Sequence, residues 1–239
     1  MNYSNLLITG GTGLLGKQLK PLLADAYLVG SSEFDLMNSD LMNRYLDGKE
    51  IKTILHAGAF TSPPKINADP KLAIDVNIIG TCNLVKICME RNIKLIYICT
   101  DYVFKGDQGM YKEDDPVLPA NKYAWSKLGG ECAVRMYDNS LIVRTSFGEM
   151  TFPYEKAFID QWTSRLRVDE MARRLVKLIN SDLTGTIHIG DKRQTVMEYA
   201  CGVSPEKTIG KLSLTEVSFV APKDTSLDTR RYDEVFGKV

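Results

Sequence analysis

Residues 6–16 read Leu6-Leu7-Ile8-Thr9-Gly10-Gly11-Thr12-Gly13-Leu14-Leu15-Gly16, an apolar run that passes straight through glycines into an amphipathic stretch. A strand that turns on glycines directly into a helix is the opening unit of a dinucleotide-binding sheet. Gly10, Gly13 and Gly16 let the chain turn tightly, let backbone N–H groups approach a pyrophosphate, and let helix and strand pack closely. The start of the helix offers positive partial charge to phosphates. The spacing is G-x-x-G-x-x-G, so the position between strand and helix carries the reading more than the glycines alone.

Outward from this turn, short β-branched runs alternate with longer amphipathic ones. Strands are expected at Asn5–Thr9, Tyr27–Gly30, Thr53–His56, Lys94–Thr100, Leu141–Arg144 and Thr186–Ile189, and helices at Leu14–Ala24, Pro70–Arg91, Asn121–Tyr137 and Asp169–Asn180. The runs LLIT, TILHA and KLIYICT are apolar without alternation, as parallel strands covered on both faces are. Asp69-Pro70 supplies an N-cap followed by proline at the first helical position. The expectation is a Rossmann-type, doubly wound α/β fold: a dinucleotide-binding unit over 1–145 and a reduced C-terminal substrate-binding lobe over 146–239, with 169–190 returning to the main sheet.

The chain has 239 residues, 44% hydrophobic and 25% charged, with 30 basic and 30 acidic side chains. No whole-chain basic field attracts nucleic acid or an anionic membrane. Apolar residues nowhere run long enough to suggest a bilayer span, and the N-terminus lacks a signal-peptide pattern. Five cysteines with no C-x-x-C pair argue against a disulfide framework or zinc site, so a reducing cytoplasm is expected. His56 and His188 sit in short apolar stretches and are expected as packed residues; no metal is assigned.

Tyr123 and Lys127 stand one helical turn apart on the stretch that follows the strand end Cys99-Thr100-Asp101-Tyr102. Composition alone makes about one Y-x-x-x-K pair expected by chance, and Tyr45/Lys49 is a second. Context separates them, because the end of a parallel strand opens onto the crevice where ligands bind. A cation beside the phenol would lower its pKa from about 10 and let it exchange a proton with a carbonyl oxygen, with Thr100 adding a hydrogen bond. At the tip of the second strand, Gly30-Ser31-Ser32-Glu33 lacks the immediate carboxylate that repels a 2′-phosphate, and no arginine stands nearby. With Glu33 close by, this leans only slightly to NADP(H), with NAD(H) open.

GGTGLLG, HAGAFT, CTDYVFKG, NKYAWSKLGGE and IVRTS together resemble the extended short-chain dehydrogenase/reductase superfamily, and most closely the dTDP-4-dehydrorhamnose reductase family. The likeness is strong over Leu6–Ser146 and returns in Asp160-Gln161, VDEMA (Val168–Ala172) and APKDTSLDT (Ala221–Thr229). It implies a cytoplasmic NAD(P)H-dependent reductase of a 4-keto nucleotide sugar, in dTDP-rhamnose biosynthesis. Thr100, Tyr123 and Lys127 would be its catalytic triad, with Lys127 also holding the nicotinamide ribose. Gly10, Thr12, Gly13, Leu14, Leu15 and Gly16 would line the pyrophosphate, Ser31 the ribose edge, and Asp35 and Leu36 the adenine. Ala57, Gly58 and Ala59 would lie near the nicotinamide, with Asn77 beside the cofactor.

Related dehydratases carry Thr-Asp-Glu where this chain has Thr100-Asp101-Tyr102, so reduction is favoured over removal of water. The chain is shorter than typical relatives between Phe147 and Asp160, reads Ser62-Pro63-Pro64-Lys65 where the family is acidic, and offers no match for Mg²⁺-binding glutamates. Phe152, Tyr154, Lys156, Trp162, Arg165 and Arg167 are the candidates to hold a nucleotide-linked sugar in a pocket left more open than in relatives. A homodimer is left open. Two rival readings are a non-catalytic NADP-binding regulatory subunit, of the kind that accompanies a methionine adenosyltransferase, and a sugar-nucleotide epimerase.

Overall fold

The structure is a computed structural model and describes residues 2–219 and 221–237. The outer limits of both expected units, residues 1 and 239, lie outside them. Six parallel strands form one sheet in the order Gly185–Ile189, Ser140–Thr145, Lys94–Thr100, Thr53–His56, Leu6–Thr9, Tyr27–Val29. In chain order this is 6-5-4-3-1-2, so the winding reverses between the first strand and the third.

Side chains alternate across the sheet and build a core on each face. On one face Leu7, Ile54, Leu95, Tyr97 and Ile142 meet Met42, Leu84, Cys88 and Leu128 from the helices Ser39–Leu46, Lys71–Arg91 and Lys122–Val134. On the other, Leu6, Ile8, Ile96, Ile98 and Val143 meet Leu15, Leu19, Met171, Leu175 and Tyr232 from Leu14–Leu19, Val168–Ile179 and Arg230–Phe236. This double covering explains why the strands read as continuous apolar runs. All five cysteines are free.

Three sequence expectations are corrected. The first helix stops at Leu19, capped by Lys20, because Pro21 cannot continue it. Ser39–Leu46 is a surface helix ending where Asp47 and Gly48 suggest, and Pro63–Ala68 is a helix in a stretch expected as loop. Asn38 caps the first by accepting the Leu41 N–H at 3.0 Å. The helix Lys71–Arg91 passes through a π-helical stretch, Ile74–Ile79. With a mean hydropathy of 1.5 it is long and apolar enough for a membrane span, which an inspection for unbroken apolar runs misses because Asp75, Lys86 and Glu90 interrupt it. Its Leu84, Val85, Ile87 and Cys88 are committed to the core. At its start Asp69 Oδ1 accepts the Lys71 N–H at 3.0 Å, the expected cap.

Beyond Thr145 the chain builds a small lobe of two- and three-residue strand pairs: Phe147–Gly148 with Leu166–Arg167, Lys156–Phe158 with Gly210–Leu212, and Trp162–Thr163 with Gln194–Thr195. Phe152, Ala157, Val196, Tyr199 and Ala200 form its own core. The helix Val196–Val203 starts on a capping box, Thr195 with Glu198. The segment 221–229 then straps the lobe to the sheet: Trp162 N–H donates to Lys223 O at 2.8 Å, Asp224 N–H to Gly106 O at 2.9 Å, and Tyr111 N–H to Ser226 O at 2.9 Å.

Candidate active site

The reversal in strand order leaves a crevice at the carboxyl ends of the first and third strands, where open α/β sheets bind ligands. Two loops meet there. Gly10 has φ +73°, and a Cβ on it would lie 2.8 Å from the Ala57 carbonyl carbon, so the glycine turn and the Ala57–Ala59 loop touch backbone to backbone. A Cβ on Gly16 would lie 2.6 Å from Gly10 O, so the helix can begin this close to the turn only without a side chain. Leu14, Leu15 and Gly16 form the helix's first turn, whose N–H groups have no intrahelical partners.

His56 ties the two loops to the long helix. Gly58 N–H donates to Thr9 Oγ1 at 3.1 Å, and Thr9 Oγ1 lies 2.7 Å from His56 Nδ1. His56 Nε2 lies 3.1 Å from Thr81 Oγ1, which donates to Asn77 O at 2.8 Å. Each hydroxyl has one proton, so the chain of bonds runs one way only: Thr9 donates to Nδ1, and Nε2–H donates to Thr81. Burial, then the Lys127 charge, pushes His56 down to about 3, and the ring is neutral. Asn77, 1% exposed and within the π stretch, accepts the Phe60 N–H at 2.8 Å and donates to Phe60 O at 2.9 Å and Ser126 Oγ at 2.8 Å. It thus staples the loop after Ala59 to the helix of Tyr123 and Lys127.

At the tip of the second strand Ser31 is exposed and Thr12 lies against Gly30. The Glu33 carboxylate folds back to accept the Gly30 N–H at 3.4 Å, so a carboxylate stands at this tip. Asp35 accepts the Met37 N–H at 2.9 Å on the same rim. Leu36 is buried beside Gly80, and its carbonyl accepts from Asn83 Nδ2 at 3.0 Å.

Thr100 ends the fourth strand, and Tyr123 opens the helix Lys122–Val134, capped by Asn121, which accepts the Ala124 N–H at 2.9 Å. Burial holds the Tyr123 phenol above its ordinary value, aided by Cys99, Asp101 and Tyr102; hydrogen bonding with Thr100 works the other way. This corrects the expectation of a phenol lowered by a neighbouring cation. Lys127, 4% exposed, places its ammonium 4.2 Å from the centre of the Tyr97 ring, and burial lowers it to about 8. Between pH 6 and 7 the site therefore holds a protonated phenol and a mostly charged ammonium, and by pH 8 about half of the ammonium is discharged.

Two cavities open on the lobe side. The smaller, about 260 Å³, runs from Leu14 beside the glycine turn to Phe147, Phe152, Tyr154, Arg165 and Tyr199. The larger, about 630 Å³, is lined by Trp162, Arg165, Arg167, Arg193 and Tyr199, among others. Arg165 and Tyr199 border both. Of the predicted lobe residues, Trp162, Arg165 and Arg167 gather at the larger cavity and Phe152, Tyr154 and Arg165 at the smaller, whereas Lys156 borders neither. Arg167 is spoken for by Asp169 at 2.6 Å, while Arg165 bonds Ser146 Oγ at 3.2 Å and acts on Asp101 and Tyr102. Among the described residues no three His, Cys, Asp or Glu side chains come together as metal ligands.

Asp101, Tyr97 and Glu131 were not singled out from the sequence. Alternation along KLIYICT puts Tyr97 and Cys99 on one face, a signal that becomes useful only once the helix covering that face is known.

The chain matches the family described as RmlD substrate binding domain over residues 4–232. It is 31% identical over 206 residues to the dTDP-4-dehydrorhamnose reductase of Aggregatibacter actinomycetemcomitans, a match spanning 82% of this chain and 67% of that one. It is 27% identical over 238 residues to methionine adenosyltransferase 2 subunit beta of Rattus norvegicus, spanning 83% and 71%. A solved dTDP-4-dehydrorhamnose reductase of Bacillus anthracis in complex with NADP superposes with a TM-score of 0.88 at 26% identity, over 100% of this chain and 94% of the other.

Proposed function

The chain belongs to the RmlD substrate binding domain family, that of the dTDP-4-dehydrorhamnose reductases, and we propose that it is an NADP(H)-dependent reductase of a nucleotide-linked 4-keto sugar. The observation that supports the reading is that Thr100 hydrogen-bonds Tyr123, on the helix that carries Lys127, and that the Lys127 charge acts on His56, which is bonded to Thr9 just before the glycine turn.

The cradle fits a dinucleotide. Gly10 and Gly16 have no room for a Cβ, and the first turn at Leu14 borders the smaller cavity. Gly10, Thr12, Gly13, Leu14, Leu15 and Gly16 would hold the pyrophosphate, Ser31, Asp35 and Leu36 the adenosine end, Ala57, Gly58, Ala59 and Asn77 the nicotinamide end, and Lys127 its ribose. NADP(H), when bound, supplies the hydride. Tyr123 Oη donates the proton to the carbonyl oxygen, and its raised pKa keeps that proton in place until the oxygen gains negative charge. Thr100 Oγ1 orients the same oxygen. Lys127 contributes a fixed positive charge. Arg165, facing both cavities, is the group we assign to the substrate's phosphates, with Tyr199 and Trp162 as apolar walls.

The likeness to a methionine adenosyltransferase subunit favours a second reading, an NADP-binding regulatory chain without turnover. A thermal-shift series separates them, since a ligand specific for the folded chain raises the melting point increasingly above its Kd. With NADPH present, a dTDP-linked sugar is expected to add a concentration-dependent shift. A shift with NADPH and none with any nucleotide sugar would move the regulatory reading ahead.

A further inference from the structure

We propose that Tyr97 is a positioning residue for Lys127: its ring holds the lysine ammonium while its hydroxyl holds the same residue's peptide carbonyl. The inference rests on the reading of Lys127 as a catalytic group.

Tyr97 is fully buried on the fourth strand, three residues before Thr100. Its Oη donates to Lys127 O at 2.9 Å, and its ring centre lies 4.2 Å from Lys127 Nζ. One rigid side chain thus contacts both ends of a long flexible one. The helix seats directly on this hydroxyl, because a Cβ on Gly130 would come within 2.7 Å of Tyr97 Oη and 2.6 Å of Asn77 O. Any larger residue there would lift the turn that carries Lys127.

Besides the ring, Cys99 and Glu131 face the ammonium and favour its charged form. On the same strand, burial keeps the Cys99 thiol well above its ordinary range, hence neutral. On the third strand His56 is neutral. On the same helix Glu131 is ionised, but its carboxylate is held by Arg144 at 2.7 Å and Arg135 at 2.9 Å. The aromatic face adds direct contact with a desolvated cation, the setting in which a cation–π contact is strongest. Tyr97 therefore keeps Lys127 charged in a place where burial alone would discharge it, and keeps it still.

The test titrates the lysine itself in ¹³Cε-lysine-labelled protein by NMR, with the signal assigned by its loss in Lys127→Met. Tyr97→Phe keeps the ring, and the midpoint should stay within about 0.3 unit of the parent. Tyr97→Leu removes the ring, and the midpoint should fall by about one unit. In turnover, Tyr97→Leu should lose about fivefold at pH 8 and recover as the pH is lowered, a pH-dependent loss that a merely structural defect would not give. If leucine unfolds the chain, Tyr97→Met carries the same comparison. A folded Tyr97→Leu or Tyr97→Met with an unmoved midpoint would overturn the proposal. A Lys127→Met that turns over as well as the parent would overturn the catalytic reading of Lys127 instead, leaving the titration result standing.

Discussion

Thr225 donates its hydroxyl proton to Asp101 Oδ2 at 2.7 Å across 124 residues of chain, tying the strap of the lobe to the residue that follows Thr100. Burial lifts the Asp101 carboxyl to about 6, against the hydrogen bonds from Thr225 and Thr100 and the charge of Arg165. The folded pKa stands above the ordinary 3.8, so the folded chain holds a proton that the unfolded chain has released between about pH 4 and 6. The associated stability, on the order of 2–3 kcal/mol, is full below pH 4 and lost as the pH rises through 6. Asp101→Asn keeps an acceptor for Thr225 without the charge. Urea unfolding should show its stability relative to the parent improving by about 2 kcal/mol from pH 4 to pH 7. A difference independent of pH would contradict this.

Glu131 and Arg144 form a buried pair at 2.7 Å, with side chains 0% and 1% exposed. Burial pushes the Glu131 carboxyl up, yet Arg144 more than compensates and leaves it below the usual range. Glu131→Gln leaves Arg144 buried with half its partner lost and should cost about 3–5 kcal/mol, whereas Glu131→Gln with Arg144→Met should recover most of it. Chemical denaturation of the single and double variants reads this directly.

The fold was largely legible because each strand of the sheet is covered twice and reads as an unbroken β-branched run: Thr53–His56 and Lys94–Thr100 end where the sequence places them. Less was legible where polar residues hide a pattern. Ser39–Leu46 buries only Met42 and Leu46, too few to give a period, and Pro63–Ala68 opens on prolines that read as loop. At the site, local spacing is enough to put Tyr123 and Lys127 one turn apart on one helix. It cannot reveal that the ammonium turns to Tyr97, or that Asp101 meets Thr225, since both depend on packing between distant segments.

On the proposed reading, cofactor preference turns on Glu33, whose carboxylate accepts the Gly30 N–H at 3.4 Å at the tip of the second strand. Removing that charge takes away a repulsion toward a 2′-phosphate. Glu33→Gln should raise NADPH affinity relative to NADH by about three- to tenfold in fluorescence titrations. An unchanged ratio would place the ribose edge elsewhere.

Arg165 borders both cavities and acts on Asp101 and Tyr102. If it holds the substrate's phosphates, Arg165→Ala removes a charge-assisted contact worth about 1.5–3 kcal/mol, and KM for the nucleotide sugar should rise about 10- to 100-fold. NADPH binding should stay near the parent value. Equal loss of both would make Arg165 a structural residue.

Ketoreduction through Tyr123 is tested most directly by following NADPH absorbance with a dTDP-linked 4-keto-6-deoxy sugar, for the parent and for Tyr123→Phe. The parent is expected to consume NADPH in proportion to reduced product, and Tyr123→Phe to fall at least ~100-fold in turnover while still binding NADPH. No net consumption by the parent, or turnover in Tyr123→Phe equal to the parent's, would contradict it.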